Sequence, residues 1–158
     1  MDYTIRRAEN TPGDLALIAH HRRAMFIDIG HGAQPSLQRL DEPFLVWAKA
    51  KMAADRLLTW FAVASDGEVA AGVGIYILDM PPTVFDLTDE RAYLLNVYTE
   101  PAHRRQGLAR RLVDVAMDYC QTAGFRSMLL HASEFGRPLY ETLGFVLTNE
   151  MRFQFRKD

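Results

Sequence analysis

The sequence predicts an α/β domain in which a mixed β-sheet carries helices on both faces. Runs with the two-residue period of strands alternate along the chain with runs of helical period, and a strand–helix–strand unit in the second half has the order of a right-handed crossover. Of the 158 residues, 49% are apolar and 24% are charged, which is typical of a globular protein. We therefore expect residues 1–158 to form one domain.

The first part of the chain predicts a strand followed by two helices. Residues 3–7 alternate as in a short strand, and Thr11-Pro12-Gly13-Asp14 has the form of a capping box with proline at the first helical position. The apolar residues after it keep helical spacing up to Gly30, which suits the end of a helix. A second, less regular helix is expected over residues 43–57.

The middle of the chain predicts a hairpin and a buried strand. Residues 60–64 and 69–78 are rich in strand-forming side chains, and Asp66-Gly67 between them is a strong hairpin signal. Residues 92–98 form a nearly continuous apolar run of the kind found in strands that are buried on both faces. We expect this strand to lie in the centre of the sheet.

The last third predicts the crossover unit and a closing pair of strands. Residues 106–123 carry an apolar helical stripe, and residues 127–131 indicate a second buried strand. A short helix is expected around residues 137–143, and strands at 145–147 and 151–155 would complete the sheet.

The segment before the crossover helix has the features of an anion-binding loop. Arg104-Arg105-Gln106-Gly107-Leu108-Ala109 places small residues and arginines where the first N–H groups of a helix are unpaired. Gly107 would let phosphate oxygens approach the backbone without a Cβ in the way. A turn of small residues at such a junction also arises from tight packing alone, so this segment leaves both interpretations open.

The same loop resembles the Gln/Arg-x-x-Gly-x-Gly/Ala signature of the GNAT acyltransferases. Residues 139–145, Leu-Tyr-Glu-Thr-Leu-Gly-Phe, resemble a second segment of that family, and the two segments follow each other in the family's order. The resemblance covers nearly the whole chain. It implies the GNAT fold, acetyl-CoA as co-substrate, and transfer of its acetyl group by direct attack of a primary amine of a small molecule or peptide.

The resemblance also implies where the cofactor binds. The implied cofactor-binding residues are Val97, Tyr98, Thr99, Arg104, Arg105, Gln106, Gly107, Leu108, Ala109, Arg110 and Ser133. The pantetheine would bind like an extra strand near Val97 and Thr99, where two strands splay apart. Ala109 and Ser133 depart from the commonest family pattern, which has a glycine and an asparagine at these positions.

The implied reaction needs a general acid, a group that polarises the thioester carbonyl, and a general base. Tyr140 matches the family's tyrosine beside the thioester sulfur and would act as general acid, since a phenol is protonated at neutral pH. A backbone N–H near Val97, at an irregularity in the strand, would polarise the carbonyl.

The general base and the acceptor pocket are the least defined parts of the predicted site. The candidates for the base are Asp28, Glu100, His103, His131 and Glu134, of which we single out His131 and Glu100. An imidazole titrates close to neutral pH, although a histidine at a strand end often has a purely structural role. The resemblance places the acceptor pocket at the first helix and the loop after it, with Arg22, Arg23, Asp28 and His31. The residues predicted to bind the acceptor are Arg23, Asp28, His31 and Asn96.

Other classes of function are less consistent with the sequence. A formal charge of −2 without a basic stripe disfavours nucleic acid, and His20-His21 lack the spacing of a metal site. The start of the chain lacks the pattern of a signal peptide, no apolar run is long enough for a membrane span, and Cys120 is the sole cysteine, so we predict a cytoplasmic protein. An open edge strand would allow a homodimer. The main alternative is a non-catalytic acyl-CoA sensor.

Overall fold

A computed structural model describes residues 2–155 of the chain. The strands are β1 (Tyr3–Arg7), β2 (Leu57–Ala64), β3 (Val69–Asp79), β4 (Glu90–Thr99) and β5 (Met128–Leu129). The α-helices are α1 (Pro12–Phe26), α2 (Asp41–Ala53), α3 (Leu108–Thr122) and α4 (Arg137–Thr142). Short turns of π or 3-10 helix cover Ile27–His31, Pro35–Arg39 and Pro101–His103.

The strands form a mixed sheet in the order β1-β2-β3-β4-β5. Neighbouring strands are antiparallel except β4 and β5, which are parallel and joined by α3. Helices α1 and α2 pack on one face around Ile18, Ala48 and Phe61, and α3 packs on the other around Leu112 and Val113. The predicted fold class, a mixed sheet with helices on both faces, is confirmed.

The start of α1 and its continuation follow local signals. The N–H of Asp14 donates to the Thr11 hydroxyl at 3.3 Å, as a capping box requires. The helix was expected to end at Gly30, and the α-helical part ends earlier, at Phe26, where a single π turn takes over. Gly30 lies in that turn at φ 92°, a conformation that favours glycine. The turn carries Asp28 and His31 away from the helix axis.

The predicted end of the second helix is wrong. Helix α2 stops at Ala53, and Leu57 already belongs to β2, where it is fully buried. Asp55 adopts a left-handed conformation at φ 53°, and the N–H of Arg56 donates to the carbonyl of Lys51 at 2.8 Å. This bond closes the helix in the manner of a Schellman motif.

The predictions for the last strands are also wrong. Only Met128 and Leu129 of the expected strand 127–131 pair with β4, and both are half-buried. Residues 145–147 and 151–155 form no strand within the described part of the chain. Phe145 is half-buried against the core, whereas the other apolar side chains of these segments are exposed, from 76% for Leu147 to 94% for Met151. Alternation determines which way side chains point, but a strand also needs a neighbour within hydrogen-bonding distance.

Candidate active site

A β-bulge interrupts β4 in the middle of the sheet. Gly72 of β3 lies opposite Tyr98, and Gly74 lies opposite Leu95, so that Asn96 and Val97 both face Val73. Asn96 has a φ of 53°, which is unusual for a residue other than glycine. A bulge leaves a residue outside the regular hydrogen-bond ladder, so this is where the strand can offer a backbone N–H to a ligand.

Strands β4 and β5 separate next to the bulge. Their pairing consists of Ala92 with Met128 and Tyr93 with Leu129. From Leu94 to Thr99, β4 has β3 on one side and no β5 partner on the other. The free edge of β4 can therefore accept an extended ligand as an additional strand.

The loop that follows β4 ends in an open helix N-terminus. Gly107 caps α3 at φ 75°, without any side-chain cap, and the first helical bond runs from the N–H of Arg111 to the carbonyl of Gly107 at 3.0 Å. The N–H groups before Arg111 lie at the positive end of the helix dipole. A Cβ added to Gly107 would meet no atom within 4 Å, so the space above this loop is open to a phosphate.

The side chains of this loop contribute unequally to its charge. Arg105 and Arg110 are exposed, and Arg110 lies 3.9 Å from Asp114 on the same helix. Arg104 is already engaged, because it forms an ion pair with Asp28 and donates to the carbonyl of Thr99 at 3.1 Å. The loop therefore presents two exposed arginines and a row of backbone N–H groups.

Strand β1 contacts this loop through the hydroxyl of Tyr3. The hydroxyl of Tyr3 donates to Oε1 of Gln106 at 3.1 Å and lies 2.9 Å from Nδ1 of His103. His103, a candidate for the base, is buried in this contact. It is better placed to hold the loop than to meet an acceptor.

Tyr140 lies on α4 with its ring packed against the core. Its side chain is 9% exposed, and burial raises the pKa of its phenol to about 12. Gly136 packs so closely that a Cβ there would be 3.0 Å from Cε2 of Tyr140. The hydroxyl of Ser133 accepts a hydrogen bond from the N–H of Gly136 at 3.1 Å, so Ser133 helps to position the turn that carries Tyr140.

The two candidates singled out for the general base, His131 and Glu100, have different surroundings. Nδ1 of His131 is hydrogen-bonded to the hydroxyl of Tyr93, and its Nε2 lies 3.8 Å from Glu150 in an exposed position. Glu100 accepts from Nε2 of His20 at 2.8 Å and from the hydroxyl of Tyr98 at 3.4 Å. Nε2 of His131 is therefore less engaged in contacts than the carboxylate of Glu100.

Two of the predicted acceptor residues, Arg23 and Asp28, already form ion pairs within the protein. Arg23 pairs with Asp41, with two bonds of 3.0 Å from its Nε, and ties α1 to α2. Asp28 pairs with Arg104 of the cofactor loop. His31 is exposed on the π turn, where its ring lies 6.1 Å from that of Phe26.

Arg22, rather than Arg23, reaches the bulge. Its Nη1 donates to Oδ1 of Asn96 at 2.8 Å. Arg22 lies in the segment expected to form the acceptor pocket, but Arg23 was the arginine chosen from it, although a signal favouring Arg22 was available. It stands four residues after Ile18 and four before Phe26, on the stripe of α1 that faces the sheet.

His21 is a residue near the site that the sequence analysis did not identify. It is 1% exposed, and burial, together with the neighbouring His20, lowers its pKa to about 4. Its Nε2 lies 3.6 Å from Glu100. Gly72 makes room for the ring, because a Cβ there would be 2.6 Å from Nδ1 of His21.

Residues 2–155 contain neither a metal-binding cluster nor a membrane-spanning helix. No group of three or more histidine, cysteine, aspartate or glutamate side chains is arranged to hold a metal ion. None of the helices in the same range has the length and hydropathy needed to cross a bilayer.

Comparison with known proteins identifies the family. Residues 20–145 match the model of the acetyltransferase (GNAT) family. A crystal structure of a GCN5-related N-acetyltransferase from Ralstonia eutropha superposes with a TM-score of 0.90 at 31% identity, covering 98% of this chain and 99% of that one. A predicted acetyltransferase from Clostridium acetobutylicum, with acetyl-CoA, superposes with a TM-score of 0.87 at 28% identity, covering 98% and 96%.

A curated human protein, N-acetyltransferase 8, is 25% identical over 103 residues. The match covers 63% of this chain and 44% of the human protein, so the chain spans less than half of that relative's length.

Proposed function

We propose that this chain, which belongs to the acetyltransferase (GNAT) family, transfers the acetyl group of acetyl-CoA to a primary amine of a small molecule or peptide. One observation carries the proposal. Strand β4 has a free edge over Leu94–Thr99, and one 3-10 turn and a short loop lead from it to the open N-terminus of α3, so a site for an extended chain is followed by a site for its phosphates.

Acetyl-CoA fits this arrangement by its chemistry. Its diphosphate would accept hydrogen bonds from the backbone N–H groups of residues 107–110, with Arg105 and Arg110 adding charge. Its pantetheine amides would pair with backbone groups of Val97 and Thr99. The thioester would then lie at the bulge, where a backbone N–H near Val97 can polarise the carbonyl.

The reaction is direct attack by the neutral amine on the thioester carbon. A nitrogen–carbon bond forms, the carbon–sulfur bond breaks, the amine gives up a proton, and the leaving thiolate takes one from Tyr140. Burial raises the pKa of Tyr140 to about 12, so the phenol carries its proton throughout the working pH range. Solvent then restores the proton to the phenolate.

We assign the base to His131, acting directly or through a water molecule. His131 lies two residues after β5, whose last pair with β4 joins Tyr93 and Leu129, and its imidazole is exposed there. Glu100 is the second candidate, but its two carboxylate oxygens are already occupied by His20 and Tyr98. If this assignment is right, His131→Gln would lower kcat most at pH values where the imidazole is neutral, and the variant would lose the rise of kcat with pH that the base produces. A larger loss in Glu100→Gln would transfer the role to Glu100.

We also propose a cytoplasmic location. Cys120 is a buried free thiol, which suits a reducing compartment. A homodimer is a further proposal, for which the exposed apolar side chains of residues 146–155 offer a surface.

The proposal is tested by following thiol release from acetyl-CoA with a panel of primary amines and identifying the product by mass spectrometry. We expect an acetylated amine to form with the wild type. Binding of acetyl-CoA without turnover across the panel would favour the alternative, a non-catalytic acyl-CoA sensor. A protein that binds no acetyl-CoA at all would contradict both.

A further inference from the structure

One cation beside the bulge has no carboxylate to balance it. Arg22 is partly buried and forms no ion pair within residues 2–155. The other described arginines without a carboxylate within 4 Å are all exposed, namely Arg7, Arg39, Arg105, Arg111, Arg126 and Arg152. Water can solvate those side chains, but a guanidinium inside the protein needs a partner.

Three carboxylates that contact or follow α1 already have other partners. Asp41 binds Arg23, Asp28 binds Arg104, and Glu100 binds His20. Each of these three carboxylates thus has a partner other than Arg22. Arg22 keeps an uncompensated positive charge.

The immediate contacts of Arg22 satisfy only part of its hydrogen-bonding capacity. Its Nη1 donates to Asn96, while its buried Nε has no partner among the described residues. The rings of Phe26 and Phe44 flank the guanidinium at 5.1 and 4.9 Å. Cation–π contacts of this kind hold the plane of the group in place, and they leave its in-plane donors available to a ligand.

The position of this charge relates it to the acceptor. Asn96, which orients Arg22, immediately precedes Val97, whose backbone is proposed to polarise the thioester carbonyl. Tyr93, which is hydrogen-bonded to His131, is close enough for the charge on Arg22 to oppose the rise in its pKa. Strand β4 thus carries, three positions apart, the residue that binds Arg22 and the residue that binds His131.

We infer that the acceptor is an amine that carries a carboxylate a few bonds away, an amino acid or a compound of that class, and that Arg22 binds this carboxylate. The inference rests on the proposed acetyl transfer and narrows its substrate. A guanidinium pairs with a carboxylate through two parallel hydrogen bonds, which fixes both the distance and the orientation of the ligand. The bound carboxylate would supply the missing charge and hold the amine in reach of the thioester.

The test compares amino acids with their carboxamides in the thiol-release assay. Each pair has the same side chain and amine and differs only in the carboxylate. We expect kcat/KM to be about 100-fold higher for at least one amino acid than for its carboxamide, as for a desolvated charge pair. The carboxamide has the less basic amine, which is more fully deprotonated at neutral pH, so this bias works against the expected result.

Substitutions at Arg22 separate binding from structure. Arg22→Gln should bring the amino acid within about threefold of its carboxamide, and Arg22→Lys, which keeps the charge without the fork, should be intermediate. The KM for acetyl-CoA should stay unchanged in both. Arg126→Gln, which alters an exposed arginine that also lacks a carboxylate, is the matched control and should behave as wild type.

Several outcomes would overturn the inference. Equal use of carboxamides by the wild type, an equal loss for both substrate forms in Arg22→Gln, or a preference for aminoalkyl phosphates would each do so. If no amine is acetylated, the proposed transfer itself fails. Calorimetric titration of N-acetyl amino acids in the presence of coenzyme A then decides separately, because binding that requires Arg22 supports the carboxylate site and absent binding rejects it.

Discussion

The two halves of the candidate site are built from different parts of the polypeptide. The cofactor half consists of the free edge of β4, Leu94–Thr99, and the loop Arg104–Ala109, and it relies mainly on backbone groups. The proposed acceptor half consists of the side chains of Arg22, Tyr93, Asn96 and His131, from α1, β4 and the segment after β5. A backbone site tolerates many side chains, whereas the acceptor half depends on the identity of each one.

This difference separates what the family shares from what distinguishes one member from another. A helix N-terminus and a strand edge recognise the phosphates and amides that every acyl-CoA carries. Side chains contributed by distant elements recognise one acceptor and can change independently. Substitutions should therefore affect cofactor binding, acceptor use and chemistry separately.

The largest effect is expected from Tyr140→Phe. This substitution leaves the cofactor half and the acceptor half in place and removes the proposed general acid. We predict that kcat falls by about 10² to 10⁴, the usual contribution of general acid catalysis, while the KM for acetyl-CoA stays the same. Because the pKa of Tyr140 is about 12, its ionisation should leave the wild-type rate unaffected below roughly pH 10. Steady-state kinetics across pH measures both effects.

Tyr119→Phe provides the control for this substitution. Tyr119 lies on α3, with its ring 5.3 Å from Trp60, away from the splayed strands. Its kinetics should match the wild type. Activity kept by Tyr140→Phe would mean that the thiolate leaves without this acid.

The next effect concerns the free energy of unfolding at acid pH, to which the buried His21 contributes. His21 has a pKa of about 4 in the folded protein, below the value of 6.5 for an exposed imidazole, so protons bind preferentially to the unfolded chain. Its stabilising contribution is complete above pH 6.5 and is lost as the pH falls towards 4, by up to about 3 kcal/mol. Urea unfolding at several pH values should show this decline.

In His21→Gln the dependence on pH between 6.5 and 4 should become shallower. His31→Gln, at an exposed position, should keep the wild-type dependence. An identical slope in wild type and His21→Gln would show that the imidazole is not held neutral by burial.

A smaller effect is expected from adding a methyl group to the cofactor loop. Gly107→Ala places a Cβ where phosphate would approach and strains a residue at φ 75°. We predict that the KM for acetyl-CoA rises about tenfold and that unfolding becomes easier by about 1 kcal/mol. Gly124→Ala, at the other end of α3 with φ 88° and equally open space, should cost similar stability without changing that KM.

The smallest predicted effect comes from Gly136→Ala, which tests how accurately Tyr140 is placed. The new Cβ would lie 3.0 Å from Cε2 of Tyr140 and 3.3 Å from the hydroxyl oxygen of Ser133, so the ring must shift by a few tenths of an ångström. We predict a roughly threefold to tenfold lower kcat, since small misplacements of a catalytic group reduce the rate. Gly13→Ala, with no atom within 4 Å of the added Cβ, should leave kcat unchanged.

The cofactor half could be predicted from the sequence because its parts are contiguous. Residues 104–109 carry the small residues and arginines of an anion loop in one short stretch, and the residues that follow form the predicted helix. The bulge expected near Val97 is present in the structure. The roles of these residues stay predictions.

The acceptor half was harder to predict because its contacts join distant positions. The pairing of Asp28 with Arg104, 76 positions apart, removes both from the free charges of the site, and no local pattern indicates it. Of the two arginines in the expected acceptor segment, Arg23 was chosen, although helical spacing places Arg22 on the inner stripe. The last strands were mispredicted since alternation at residues 151–155 says nothing about a pairing partner.

The most direct test of the two-part site is calorimetric titration of acetyl-CoA into the wild type, Gly107→Ala and Arg22→Gln. We predict binding at one molecule per chain in the wild type, affinity lowered about tenfold in Gly107→Ala, and unchanged affinity in Arg22→Gln. Absence of binding to the wild type would contradict the assignment of the cofactor half. Equal weakening in both variants would contradict the separation of the two halves.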